Sequence, residues 1–142
     1  MNQEEHRIQS SAVAALSHYA WSRWLFAIPN GGARSSITGA LLKAEGVKAG
    51  VWDLELPILA PYRTSESKYH GLRIEVKTTG GRLTVEQAEF GIFLDYQGSA
   101  ISICRSSQSI VDSCIKYMSE PWTFNDAAID ECVRRLNGRG SR

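Results

Sequence analysis

Leu72-Arg73-Ile74-Glu75-Val76-Lys77, read together with Val51-Trp52-Asp53-Leu54, decides the fold of this chain. The first stretch alternates apolar and charged residues strictly, the pattern of a strand. Side chains two apart on a strand share a face. Glu75 and Lys77 therefore point one way and Val76 the other. Asp53 sits in the otherwise apolar stretch Val51-Trp52-Asp53-Leu54, and 51–59 reads as a second strand. If the two strands are neighbours, Asp53 can stand opposite Glu75. Two carboxylates then converge with an ammonium beside them. Buried, unpaired charge is costly, so a divalent cation between the carboxylates is a natural solution. The same spacing also describes the wet face of an antiparallel sheet laced by cross-strand salt bridges. The surrounding sequence has to weigh one reading against the other.

Upstream, 4–21 reads as a helix, with Ile8, Ala12, Ala15 and Tyr19 at helical spacing. Residues 25–28 form a short apolar run that reads as a buried strand, stopped by the turn Pro29-Asn30-Gly31-Gly32. Ser35 or Ser36 can cap a second helix through Lys43. Residues 60–69 are polar and contain Pro61, hence a hairpin or loop. Downstream, Thr84-Val85-Glu86-Gln87 has capping-box spacing and opens a helix through Tyr96. A strand over 100–104 places Ile101 and Ile103 on one face, and a helix follows over 107–118. A weaker helix over 125–136 precedes a basic, Gly-rich end. The order α-β-α-β-β-α-β-α predicts an α/β domain with a central mixed sheet flanked by helices.

A length of 142 residues suits one core. With 43% hydrophobic and 22% charged residues, disordered, collagenous and coiled-coil classes are set aside. No apolar run approaches the ~18 residues that span a bilayer, and the polar start Met1-Asn2-Gln3-Glu4-Glu5-His6 does not resemble a signal peptide. No membrane association and no nucleotide cofactor are expected. Cys104, Cys114 and Cys132 are too widely spaced for a zinc finger and fit reduced thiols. His6, His18 and His70 lack ligand spacing. The net charge is only +1, but Arg34, Lys43, Lys48, Lys68, Arg73, Lys77 and Arg82 fall around the strand motifs. A basic surface beside an acidic metal site suits a phosphodiester. An ordinary solvated surface would look the same.

The two carboxylates and the lysine match what phosphodiester hydrolysis requires. Magnesium takes carboxylate oxygens, keeps several waters and bridges to phosphate. It polarises a phosphoryl oxygen and acidifies water. A lysine can orient or deprotonate the attacking water and offset charge in the transition state.

Four segments in series carry a resemblance: Ile28-Pro29-Asn30-Gly31-Gly32; Leu42-Lys43-Ala44-Glu45-Gly46-Val47-Lys48-Ala49-Gly50-Val51-Trp52-Asp53-Leu54; Ile74-Glu75-Val76-Lys77; and Leu83-Thr84-Val85-Glu86-Gln87. Together they resemble the VRR-Nuc (virus-type replication-repair nuclease) domain of the PD-(D/E)xK superfamily, over most of the chain. The resemblance implies a restriction-endonuclease-like core over 1–118, with 119–142 as a C-terminal extension. It implies a Mg²⁺- or Mn²⁺-dependent DNA endonuclease, structure-selective on branched DNA such as four-way (Holliday) junctions. Stand-alone members of this kind are similar to phage-encoded proteins, and some resolve branched DNA as homodimers. The implied location is the cytoplasm, of a phage's bacterial host or of a bacterium.

By the same resemblance Asp53 and Glu75 are similar to the metal-binding carboxylates, and Val76 would lend its backbone carbonyl. Lys77 looks like the motif lysine. Gln87 resembles the glutamine that reaches toward the site. Glu5, in the pattern Glu5-x-x-x-Gln9, resembles an acid that approaches the metal directly or through water. Trp52 stands where the family usually has proline, and Ala27 where it often has histidine. Simpler readings stay open for some of these residues: Gln87 as a helix cap, Glu5 as a solvated first-turn acid. Asn30 and Gly31, with their neighbouring glycine, offer backbone N–H groups to a phosphate, or only a turn. Arg34 and Lys48 are the candidate phosphate contacts. Two other readings of the whole remain: a nuclease on flaps, linear duplex or single-stranded ends, and a non-catalytic nucleic-acid-binding module of the same fold.

Overall fold

The structure is a computed structural model, and it describes residues 1–29, 36–62 and 69–138. Asn30, Gly31 and Arg34, with Lys68 and the last four residues, lie outside the described residues.

The elements run α1 (Gln3–Leu16), a 3-10 turn (Ala20–Trp24), β1 (Phe26–Ala27), α2 (Ser36–Ala44), β2 (Leu54–Leu56), β3 (Leu72–Val76), α3 (Val85–Tyr96), β4 (Ala100–Cys104), α4 (Ser107–Ser119) and α5 (Asn125–Asn137). The strands form one sheet in the order β1-β2-β3-β4. β1 and β2 pair antiparallel, as do β2 and β3, whereas β3 and β4 are parallel. This is the α/β fold with a mixed central sheet that the alternating elements predict. The β3–β4 crossover is made by α3, as a parallel pair requires.

Each face of the sheet has its own core. Leu54, Leu56, Leu72, Ile74 and Val76 pack with Ala12 and Leu16 of α1 and with Ile110, Cys114 and Tyr117 of α4. On the other face Ile101 packs with Trp52, with Ala88 and Leu94 of α3, and with Ala128 and Cys132 of α5. The helix read as weak over 125–136 is therefore thirteen residues long and supplies part of that second core. All three cysteines are buried free thiols. No helix among the described residues is long and apolar enough to cross a membrane.

Three local expectations need correction. The first helix stops at Leu16 rather than continuing to Trp21. The Ser17 hydroxyl and its N–H both bond back to the Ala14 carbonyl, which tightens the last turn. The strand after it is not buried: β1 has two exposed residues at the sheet edge, with Phe26 46% exposed. Finally, Asp53 lies one residue before β2 and not within a strand.

β4 is the other edge, and Asn125 blunts it. Its Oδ1 accepts from the Ile101 N–H at 2.8 Å and from the Trp122 indole at 2.7 Å. Its Nδ2 donates to Asp95 Oδ1 at 2.6 Å and to the Ser99 carbonyl at 2.9 Å. Both ends of a buried amide are satisfied, and an outward-facing strand N–H is removed from the edge.

Candidate active site

The β2–β3 register pairs Leu54 with Ile74. One step further along the antiparallel ladder, Asp53 stands opposite Glu75. Two contacts fix Asp53 there. Its carbonyl accepts from the Ile28 N–H at 2.8 Å, which prolongs the β1–β2 ladder. Its Oδ2 accepts from the Val76 N–H at 2.8 Å. In a strand the N–H and C=O of one residue point to the same side, so the Val76 carbonyl also faces the Asp53 side. The Val76 side chain lies in the opposite layer, fully buried.

Glu75 and Lys77 do share a face. Lys77 Nζ lies 3.3 Å from Glu75 Oε1, and both side chains are buried. Gln87 Nε2 donates to the same Oε1 at 2.7 Å. The two readings of Gln87 hold at once, because its Oε1 accepts from the Thr84 N–H at 2.8 Å while the Thr84 hydroxyl accepts from the Gln87 N–H. The cap locks the rotamer that delivers the amide to Glu75. Glu5 is buried rather than solvated, at 7% exposure. It closes a capping box with Asn2, which the sequence reading missed although Asn2-x-x-Glu5 has the spacing for it. Glu5, Asp53, Glu75, Lys77, Thr84 and Gln87 line one cleft of about 230 Å³.

Trp52 and two glycines hold this cleft in shape. The Trp52 indole N–H donates to the Gln87 carbonyl at 2.9 Å, so one side chain joins the segment carrying Asp53 to the first turn of α3. Its ring lies over Gly91, where a Cβ would come within 2.5 Å of it and within 2.7 Å of Cys132 Sγ. Gly50 adopts φ +87, and a Cβ there would meet the Glu86 backbone at 2.6 Å. Ala49, Gly50 and Val51 thereby form a wall of the cleft. Lys48 is exposed just before that wall.

Electrostatically the carboxylates are out of balance. Burial, then the Asp53 charge, pushes the Glu75 carboxyl up to about 8, with Lys77 opposing. Burial also raises Asp53, against the Val76 N–H and Lys77. Glu75 Oε2 is buried with no hydrogen-bond partner among the described residues. An acceptor of that kind is costly to leave unmet. No three of His, Cys, Asp and Glu gather as a metal-holding group among the described residues. Magnesium, however, is held by one or two carboxylates with its remaining positions on water and phosphate. The unmet Glu75 oxygen, the Asp53 carboxylate and the Val76 carbonyl form an all-oxygen donor set, which fits a hard divalent cation. The pair Arg73–Glu55, at 3.0 Å on β3 and β2, is by contrast a plain cross-strand salt bridge.

No protein-family model matches the sequence, and no curated protein matches it. Among solved structures the chain is similar to one described as a VRR_NUC domain protein. The TM-score is 0.66 at 22% sequence identity, over 86% of this chain and 95% of that one.

Proposed function

On the fold shared with a VRR_NUC domain protein, we propose that this chain is a divalent-metal-dependent deoxyribonuclease with Asp53, Glu75 and Lys77 at its centre. The observation that carries the reading is the Glu75 Oε2, buried with no partner among the described residues, in the cleft it shares with Asp53, with Lys77 Nζ 3.3 Å from the other oxygen. Asp53, Glu75 and the Val76 carbonyl would hold Mg²⁺ or Mn²⁺, with Glu5 contributing from the cleft wall. The ion would polarise the phosphoryl group and acidify water. Lys77 would orient the attacking water and offset the negative charge that develops on the phosphoryl oxygens. Gln87 would keep Glu75 turned toward Asp53. Lys48 at the rim would contact phosphate, as would Asn30, Gly31 and Arg34. The substrate we assign is branched DNA, four-way junctions in particular, cut by a homodimer.

A panel of four-way junction, flap, linear duplex and single-stranded DNA tests this reading, each incubated with Mg²⁺, Mn²⁺, Ca²⁺ or EDTA. Incision of the junction in Mg²⁺ or Mn²⁺, with none in Ca²⁺ or EDTA, is the expected result. Incision confined to flaps or ends would replace the substrate and keep the enzyme. Binding without incision of any substrate would leave a binding module.

A further inference from the structure

A larger cavity, of about 480 Å³, is lined by the loop residues just before Thr84. Four arginines line it, Arg82, Arg105, Arg134 and Arg135, against one carboxylate, Glu131. They come from the loop after β3, the end of β4 and the last turns of α5, so their sequence spacing does not reveal the cluster. The whole chain has a net charge of +1. The five residues carry +3 between them, which leaves −2 on everything else. This cleft therefore concentrates the positive charge of a chain that is otherwise slightly acidic.

The four arginines are not equivalent. Arg105 is spent on structure: it makes a two-pronged pair with Glu131, at 2.6 and 3.2 Å, and donates to the Gly81 carbonyl at 2.9 Å. These bonds tie the loop after β3 to α5 and neutralise the carboxylate. Arg135 donates from Nε to the Leu83 carbonyl at 2.6 Å. That bond orients the guanidinium and leaves its Nη groups without a partner among the described residues. Arg82 and Arg134 are exposed and likewise have no side-chain partner there. Three guanidinium groups with open donors, one of them oriented in advance, face one cavity. Planar forks of N–H donors suit phosphate oxygens better than point charges do.

The position is as informative as the charge. Thr79, which lines this cavity, is two residues beyond Lys77, and Arg82 is two residues before Thr84 of the catalytic cleft. Two residues span at most about 7 Å, and a DNA strand advances 3.4 Å per nucleotide along the helix axis. The arginine cleft thus begins within a few nucleotides of the proposed cutting position.

We propose that Arg82, Arg134 and Arg135 form a second binding site, for the phosphodiester backbone of the nucleic acid as it leaves the catalytic cleft. The inference rests on the nuclease reading for its ligand but not for its test. The probe is a fluorescently labelled DNA duplex, titrated at several salt concentrations in Ca²⁺, by the wild type and by the Arg82→Gln/Arg134→Gln variant. Both side chains are exposed and without partners among the described residues, so the packing is unaffected. The variant should bind every sequence more weakly, and its slope of log K against log salt should be shallower by about 2, about 1 per lost phosphate contact. Arg82→Lys/Arg134→Lys should restore most of the slope. A control that removes the same charge at Arg23 and Lys116 should leave the slope close to wild type. An unchanged affinity and slope in the glutamine variant, or an equal loss in the control, overturns the second site while leaving the nuclease assignment standing. Cleft-dependent binding by a wild type that cuts nothing in Mg²⁺ or Mn²⁺ does the reverse. A wild type that binds no DNA removes both.

Discussion

At the scale of single residues, burying the Glu75 carboxylate costs stability. Its carboxyl titrates at about 8 in the folded protein, against 4.5 ordinarily, chiefly because it is buried. An acid whose pKa is raised by folding holds its proton longer in the native state than in the unfolded one. Between pH 4.5 and about 8 the native state therefore binds more protons, and stability falls as pH rises through that window. Glu75→Gln removes the penalty. In EDTA the variant should melt above the wild type at pH 8, and the gap should close below pH 4.5. Mn²⁺ should reverse the order, because only the wild type gains the binding energy of the ion. A melting series across pH, with and without Mn²⁺, reads both effects. A wild type that outlasts Glu75→Gln at pH 8 in chelator would contradict the assigned cost.

At the scale of elements, strand and helix contribute differently to the site. β3 was legible: strict alternation in Leu72-Arg73-Ile74-Glu75-Val76-Lys77 put Glu75 and Lys77 on one face, and they meet at 3.3 Å. The Thr84–Gln87 cap was legible as spacing, but its second use was not, since only the packing of α3 on the sheet brings the Gln87 amide to Glu75. The fit of Trp52 over Gly91 was not legible, because it joins residues far apart in sequence through tertiary contact alone. α5 was legible as a weak helix, but its place in the second core was not, because its apolar positions are few and that place depends on packing against α3 and β4. Gly91→Ala tests that fit. The added methyl meets a fully buried ring and a buried thiol, an overpacking that costs typically 1–3 kcal/mol. We expect a lower melting temperature and a lower cleavage rate together, because α3 carries Gln87. A melting temperature equal to wild type would show that α3 moves freely against Trp52.

At the scale of the whole molecule, one chain supplies one candidate catalytic cleft, whereas the proposed resolution of a junction takes two cuts in two-fold relation. A C2 dimer provides that relation. Of the four tryptophans, Trp52 and Trp122 are core, at 0% and 3% exposure. Trp21 packs partly against the core, and Trp24 stays exposed. Phe26 on edge strand β1 is exposed as well, and Ile37 and Leu41, one turn apart on α2, are 74% and 59% exposed. Apolar surface of this kind suits a second copy of the chain. Light scattering at micromolar concentration should give twice the chain mass, falling to a single chain in Ile37→Asp/Leu41→Asp. A wild-type monomer would remove the dimer and with it the paired incision, but not the catalytic centre. That centre is tested most directly by the cleavage rate of a labelled DNA substrate in Mn²⁺ and in EDTA, with the wild type, Asp53→Ala, Glu75→Ala and Lys77→Ala. Cleavage is expected from the wild type in Mn²⁺ alone and from none of the variants, with calorimetric Mn²⁺ binding weakened in the two carboxylate variants and kept in Lys77→Ala. Wild-type turnover in any one of the three variants, or full activity in EDTA, would contradict it.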